Sequence, residues 1–271
     1  MRQAGVVIPF VKASACGNDF LLIDAADIED ALAPADMAAL TARMCDRHEG
    51  VGADGVEWMY PHPSADVEIR LINADGSEAE ISGNGTRCVA AYICAERGQE
   101  KITIQTGAGL KTCVLTSRSE SEYEFEVEMG KAAVGAELAL KLSGNEVRGI
   151  PVSMGNPHYV LFVPAFAEDW QSQAAQIQRN SHFKHGVNVE MVQIDGKHDV
   201  SARFFERGVG ESQSSGTGSC ASAVAAMTTG RAESPVRVHA RGGIQTVRRE
   251  GKSVFLRGTA RLVCRGEFFL S

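Results

Sequence analysis

The sequence predicts a mixed α/β (α+β) protein built as two pseudo-symmetric halves, each a curved, mostly antiparallel sheet wrapped around one central apolar helix. Three observations predict it. First, "SGNGTRCVAAYICAERG" from Ser82 and "SGTGSCASAVAAMTTGR" from Ser215 both place a glycine turn ahead of a run that is apolar nearly all round, the pattern of a helix buried on every side. Second, the chain repeats itself in order: Ser82 and Ser215 stand 133 residues apart, as do Arg70 and Arg203, and Gly107 and Gly242 stand 135 apart. Ordered matches at spacings within a few residues of each other mark an internal duplication where a single glycine-rich match would not. Third, the rest of each half is made of short segments that alternate apolar and polar residues, the period of a half-buried strand.

The elements follow in chain order. In the first half, "ADMAALTARMCDR" has the spacing of an amphipathic surface helix, and "DVEIRLIN", "KITIQT" and "EYEFEVEM" read as strands on either side of the central helix. In the second half, "HYVLFV", "NVEMVQI" and "SVFLRG" read as strands, "AEDWQSQAAQIQR" as a surface helix, and "RVHARGGIQTVRRE" as strand, turn and strand. The two halves are expected at 1–130 and 131–271, joined near "GKAAVGAEL", with a cleft between them; a C-terminal tail crossing back to the first half stays open.

Composition narrows the function. The 271 residues carry 44% hydrophobic side chains but only 6% aromatic ones, so the cores must be aliphatic. A net charge of −7 argues against nucleic acid as a partner, because phosphate binding needs a basic face. No apolar run approaches the roughly 20 residues of a membrane span, and the first twenty residues lack the charged and apolar regions of a secretory leader. Seven cysteines without C-x-x-C spacing indicate neither a disulfide framework nor a metal site. A cytoplasmic protein is expected.

A glycine turn before a helix aims backbone N–H groups outward at the positive end of the helix dipole, which suits a carboxylate or phosphate. Either serine alone is explained by N-capping, for which Ser is a preferred residue. The repeated pair argues for two helix starts serving one small anionic ligand. Polar residues gather around them in the sequence: Asn18 and Asn156 after matching glycines, His158 two residues on, and Asn73, Asn188, Glu206 and Arg207 at strand ends. Asn offers donors and an acceptor, Arg207 suits a carboxylate, and Glu206 can accept from an ammonium group. For Asn73, in "NADG", a plain turn role is equally open, and for His158 an orienting role is as open as a catalytic one.

Together the strings "GNDFLLID", "DRHEGVGADG", "INADGSEAEISGNGTRCVAAY", "GNPH", "GVNVE", "FFERGVGES" and "SGTGSCASAVAA" resemble the diaminopimelate epimerase family over nearly the whole chain. The resemblance implies a two-half fold and an enzyme that inverts an amino-acid α-carbon without cofactor or metal, one cysteine acting as base and another as acid. It implies LL-diaminopimelate as substrate, converted to the meso form in lysine and peptidoglycan synthesis. It implies substrate ligands at Asn18, Asn73, Asn156, Asn188, Glu206 and Arg207, an α-carboxylate held by the backbone of Gly83, Asn84, Gly216 and Thr217, and His158 near the reacting centre.

The chain departs from the family at the chemistry. Ser82 and Ser215 occupy the two cysteine positions, Gly55 stands where the family has a glutamine, and Cys16 reads as a packing change. A thiol can be brought into the working range by a helix N-terminus, whereas a serine hydroxyl needs an adjacent base. Three readings stay open: an epimerase with its cysteines replaced by design, a divergent natural member with weak or altered activity, or another reaction on the same fold using a base from Glu80, Asp75, Glu211 or His158. A non-catalytic amino-acid-binding homologue is a further alternative, and a homodimer is compatible with all of them.

Overall fold

Strand alternation and the two apolar runs organise the computed structural model, which describes residues 7–27 and 34–270. Residues 1–6, where the leader reading begins, lie outside the described residues. The chain divides into two units, Met1–Val127 with Thr259–Ser271, and Glu128–Gly258.

The first unit runs β1 (Val7–Ala15), β2 (Asn18–Asp24), α1 (Pro34–Cys45), β3 (Gly55–Tyr60), β4 (Val67–Asn73), β5 (Glu78–Ala79), α2 (Gly83–Arg97), β6 (Lys101–Thr106), β7 (Gly109–Ser119) and most of β8 (Glu122–Lys131). The second runs β9 (Ala133–Val134), β10 (Leu138–Lys141), β11 (Glu146–Ser153), β12 (Pro157–Phe162), α3 (Trp170–Gln178), β13 (Asn188–Gly196), β14 (Asp199–Glu206), β15 (Gly210–Ser212), α4 (Gly216–Thr228), β16 (Val236–Ala240), β17 (Gly243–Glu250) and the start of β18 (Ser253–Phe269).

Each unit repeats one pairing pattern. In the first, β2 pairs parallel with β3, β3 antiparallel with β4, β4 antiparallel with β5 and parallel with β6, and β6 antiparallel with β7. In the second, β12, β13, β14, β15, β16 and β17 repeat that series of parallel and antiparallel pairs. The duplication read from 133-residue spacing is therefore present in topology as well as in sequence.

The central helices are buried as their composition requires. From Cys88 to Ala91 every residue of α2 is fully shielded, and the helix packs on β1, β2 and β6. In α4, Cys220, Ala221, Ala223, Val224, Ala225 and Ala226 are all inaccessible and share a core with Val152, Val160, Val200, Phe204, Val236 and Leu256. Small side chains let backbone approach backbone, so a sheet can close around the helix at interior packing density. Helix α2 ends at Gly98, whose φ of 69° provides the left-handed cap. The surface helices take the outer faces, α1 through Met37, Leu40 and Met44 against Trp58 and Ile72, and α3 through Trp170, Ala174 and Ile177 against Val189 and Met191.

One boundary differs from the sequence reading. The expected second half runs to residue 271 with a returning tail left open, and Thr259–Ser271 belongs to the first unit, so the tail does cross back. The strand expected at "SVFLRG" continues to Phe269, and its later residues pair antiparallel with β1, Ile8 opposite Phe268 and Phe10 opposite Gly266. Gly266 permits this: a Cβ there would stand 2.6 Å from the Phe10 ring.

Candidate active site

In the first unit, the starts of β2 and β3 and the end of β4 meet at one edge, since Phe20 lies opposite Gly55 and Gly55 opposite Asn73. The start of α2 is tied to that edge. Ser82 is extended (φ −120°, ψ 120°), and its Oγ accepts from Gly85 N at 3.1 Å. Asn84 Nδ2 donates to Asn18 Oδ1 at 2.7 Å, and Asn18 Nδ2 donates to Asp54 Oδ2 at 3.0 Å. Arg47 bridges Asp54 and Asp19, and Lys12 adds a second cation to Asp19. Burial pushes the Asp19 carboxyl up, but these cations outweigh it and hold the group below its ordinary value. The inaccessible Arg87 reaches back one turn, donating to Gly83 O at 3.0 Å and Asn84 Oδ1 at 2.5 Å. It thus fixes the first turn, whose N–H groups no helical carbonyl can satisfy.

In the second unit, His158 on β12 lies opposite Asn188 on β13, and the end of β14 brings Glu206 to the start of α4. Ser215 is extended (φ −142°, ψ 126°); its Oγ accepts from Gly218 N at 3.2 Å and donates to Glu206 Oε2 at 3.0 Å. Asn156 Nδ2 donates to Thr217 Oγ1 at 3.3 Å, while Asn156 Oδ1 faces His158 Nε2 at 2.9 Å. His158 Nδ1 meets Glu190 Oε1 at 2.7 Å, with both side chains buried. Both ring nitrogens therefore face oxygen, so the Nδ1···Oε1 contact holds a proton whichever group carries it. Burial pushes the Glu190 carboxyl up, and His158 pulls it the other way.

The structure thus gathers Ser82, Gly83, Asn84 and Asn18 at one helix start, and Ser215, Gly216, Thr217, Asn156, His158 and Glu206 at the other. Asn188 supports the second start indirectly, accepting from Arg207 N at 2.9 Å and donating to Pro157 O at 3.1 Å. Arg207 is exposed, with Nη1 donating to His185 O at 3.1 Å. Asn73 spends its amide on the turn, donating to Ser77 Oγ at 3.0 Å. Two of the suggested bases are committed elsewhere: Asp75 accepts from Ser77 N and Oγ, and Glu211 is ion-paired with Arg241 and accepts from Gln171. Glycine at 55 has a local reason, because a Cβ there would meet Ile72 O at 2.8 Å. Cys16, read as packing, has its Sγ 3.6 Å from Arg87 Nη2.

Sequence reasoning missed a second duplicated feature. Glu57 and Glu190 stand 133 residues apart, as do Gly85 and Gly218. Both carboxyls lie at the first turn of a central helix, in space a glycine leaves open. A Cβ on Gly85 would stand 1.8 Å from Glu57 Oε1 and 3.3 Å from Ser82 Cβ; one on Gly218 would stand 3.0 Å from both Glu190 Oε1 and Ser215 Cβ. Neither oxygen of the inaccessible Glu57 has a hydrogen-bond partner, and burial pushes its pKa up to about 8.

Fold and duplicated helix starts define the class, a two-unit α+β fold in which each unit wraps a sheet around a central helix. Solved structures of that fold include a Bacillus anthracis phenazine biosynthesis protein of the PhzF family, with a TM-score of 0.73 at 17% identity over 97% of this chain and 99% of that one. A hydroxyproline epimerase from Agrobacterium vitis, with bound trans-4-hydroxy-L-proline, gives a TM-score of 0.70 at 16% identity over 98% and 93%. Sequence carries the assignment further: the chain belongs to the diaminopimelate epimerase family, whose profile matches residues 10–134 and 150–263. The diaminopimelate epimerase of Pelotomaculum thermopropionicum is 38% identical over 96% of this chain and 98% of its own length. That of Elusimicrobium minutum is also 38% identical, over 96% and 98%.

Proposed function

We propose that the chain inverts the α-carbon of LL-diaminopimelate to the meso form, in cytoplasmic lysine and peptidoglycan precursor synthesis, by proton transfer between groups at its two helix starts. In this reading one substrate is taken by both starts, and no cofactor takes part. The first-turn N–H groups at Gly83, Asn84, Gly216 and Thr217 hold the α-carboxylate, where they stabilise the charge that develops when the α-proton leaves. Asn18, Asn156 and Arg207 recognise the remaining polar groups, while Asn188 holds the Arg207 backbone and Asn73 holds its turn.

The observation that carries the reading is the hydrogen bond from Ser215 Oγ to Glu206 Oε2 at 3.0 Å. A serine hydroxyl is too weak an acid to serve unaided, but an adjacent carboxylate makes it usable. Glu206 takes the Ser215 proton as Ser215 Oγ takes the substrate's α-proton, and the Ser82 hydroxyl delivers a proton to the opposite face. His158, held by Glu190 and Asn156, is a positioning residue that fixes Asn156 against Thr217.

The test is α-proton exchange in deuterated water with LL- and meso-diaminopimelate. The chain should show slow exchange, and Ser82→Cys with Ser215→Cys should raise it about 100-fold or more, the scale of a well-matched acid or base. Absence of exchange from both proteins with both stereoisomers would reject this substrate and reaction.

A further inference from the structure

Four features outside the proposed chemistry stand out: the unpartnered Glu57 carboxyl; a groove of about 500 Å³ beside α3, with Lys141 and Arg179 on its wall; the exposed apolar side chains Val7, Val263 and Phe269; and the Cys16 thiol against Arg87. Nothing in the structure shows what the groove or the apolar side chains would hold, and the thiol is a single buried group. Glu57 alone carries an inference.

Its surroundings are apolar on the sheet. Glu57 on β3 lies opposite Leu22 on β2 and Leu71 on β4, and Gly85 of α2 closes over its carboxyl. The titratable group that senses Glu57 is the Cys88 thiol on α2, which in turn has Arg87, Cys16 and Asp19 around it. Arg87 gives its donors to Gly83 O, Asn84 Oδ1 and Cys16 Sγ; burial pushes the Cys88 thiol up, and Asp19 is paired with Arg47 and Lys12. No cation pairs with Glu57 within 4.0 Å among the described residues. A leucine or methionine would fill the same space without desolvation cost, whereas a buried carboxyl with no partner is tolerated only in its neutral form. At the matching point of the second unit, the carboxyl of Glu190 has His158 to share a proton with.

We propose that Glu57 is the proton reservoir of the first helix start, a positioning residue that stores a proton beside Ser82 and makes this start the acid partner in the inversion. The inference rests on the two-base reading and deepens it by giving each start a direction. As the Ser82 O–H bond breaks and its proton goes to the substrate carbanion, a carboxylic O–H of Glu57 breaks and its proton passes to Ser82 Oγ, leaving a Glu57 carboxylate. In the same turnover Ser215 takes the α-proton and passes its own to Glu206, leaving a protonated Glu206. Both carboxyls are then reset by exchange with water. In the resting geometry Ser82 Oγ is turned to Gly85 N, so the transfer needs the Ser82 hydroxyl to rotate toward the gap over Gly85 that the two side chains flank.

Two measurements test it. Infrared difference spectra of carboxyl-labelled chain against Glu57→Gln should show a protonated carboxyl band at pH 7 that disappears with a midpoint of about 8, and Ser82→Ala should move that midpoint by half a pH unit or more. A Glu57 that is ionised at pH 7, or a midpoint indifferent to Ser82→Ala, overturns the proposal. This arm needs no turnover, so it remains decisive even if diaminopimelate proves not to be the substrate. With substrate, Glu57→Gln should slow inversion about 100-fold, while the stereoisomer whose α-hydrogen faces Ser215 still exchanges that hydrogen for deuterium. An unchanged ratio of inversion to exchange also overturns it. Unaltered circular dichroism and thermal unfolding of Glu57→Gln separate these outcomes from a folding defect.

Discussion

A buried carboxyl without a partner is costly when ionised, and Glu57 converts that cost into a pH dependence of stability. Its ordinary value of 4.5 is raised to about 8 by burial. Below the ordinary value the group is neutral in folded and unfolded chains alike, and its full contribution to stability is present. Between the two values the folded chain keeps a proton that the unfolded chain releases, so stability falls as pH rises, by up to about 1.4 kcal/mol per pH unit. Above the upper value the loss is complete. Glu57→Gln removes this response. In denaturant titrations, the variant's stability relative to the parent chain should climb through that window and be flat on either side. Parallel curves for the two proteins would mean that Glu57 titrates as an ordinary carboxyl. The same residue shows where sequence reading stops. In "GVEWM" and "NVEMV" each glutamate alternates with apolar neighbours and reads as the solvent side of a strand; only the distant helix that covers this side buries it. Ser82 and Ser215 were legible because glycine turns and apolar runs mark a helix start locally. The bond from Ser215 to Glu206 was not, since it depends on where β14 ends relative to α4.

At the scale of elements, each central helix begins where its third residue is glycine and a carboxyl occupies the missing side chain's place. Gly85→Ala would push a methyl to 1.8 Å from Glu57 Oε1, a clash that must move the carboxyl or the helix start and should cost about 1–3 kcal/mol. In a Glu57→Ala background the same methyl enters vacated space, so the cost of Gly85→Ala should shrink or reverse. Equal costs in the two backgrounds, read from a double-mutant cycle of unfolding free energies, would show that the two groups do not compete for one volume. Both central helices, both surface helices and the main strands were legible in the sequence, because their periodicities are local. The length of β18 was not. Gly258 and Gly266 interrupt the alternation of "SVFLRGTARLVCRGEFF", and what carries the strand through them is pairing with β17 at one end and β1 at the other.

At the scale of the molecule, β18 gives the first unit a strand from the far end of the chain. Ending the chain after Gly258 would strip β1 of one of its two antiparallel neighbours, leaving it paired with β2 alone, and would take Phe268 from the core that contains Ile8, Phe10 and Trp58. The truncated chain should lose amide exchange protection in β1 and α2 while Val189–Val192 and α4 keep theirs; uniform loss or uniform retention would contradict that division. The repeat itself was legible at this scale, and the return of the tail was left open, since no local pattern distinguishes a strand that stays in its own unit from one that leaves it.

That returning strand also sets an order of events during synthesis. Every strand and helix of the second unit is available once Gly258 has left the ribosome, whereas the first unit, though made earlier, waits for Thr259 and the residues after it to close its sheet. The usual sequence, in which the amino-terminal domain completes its fold first, cannot hold for the edge of β1 that β18 covers. Until then β1 presents an open edge of the kind that recruits foreign strands, so the half of the protein that is made first is the half that most needs shelter while it waits.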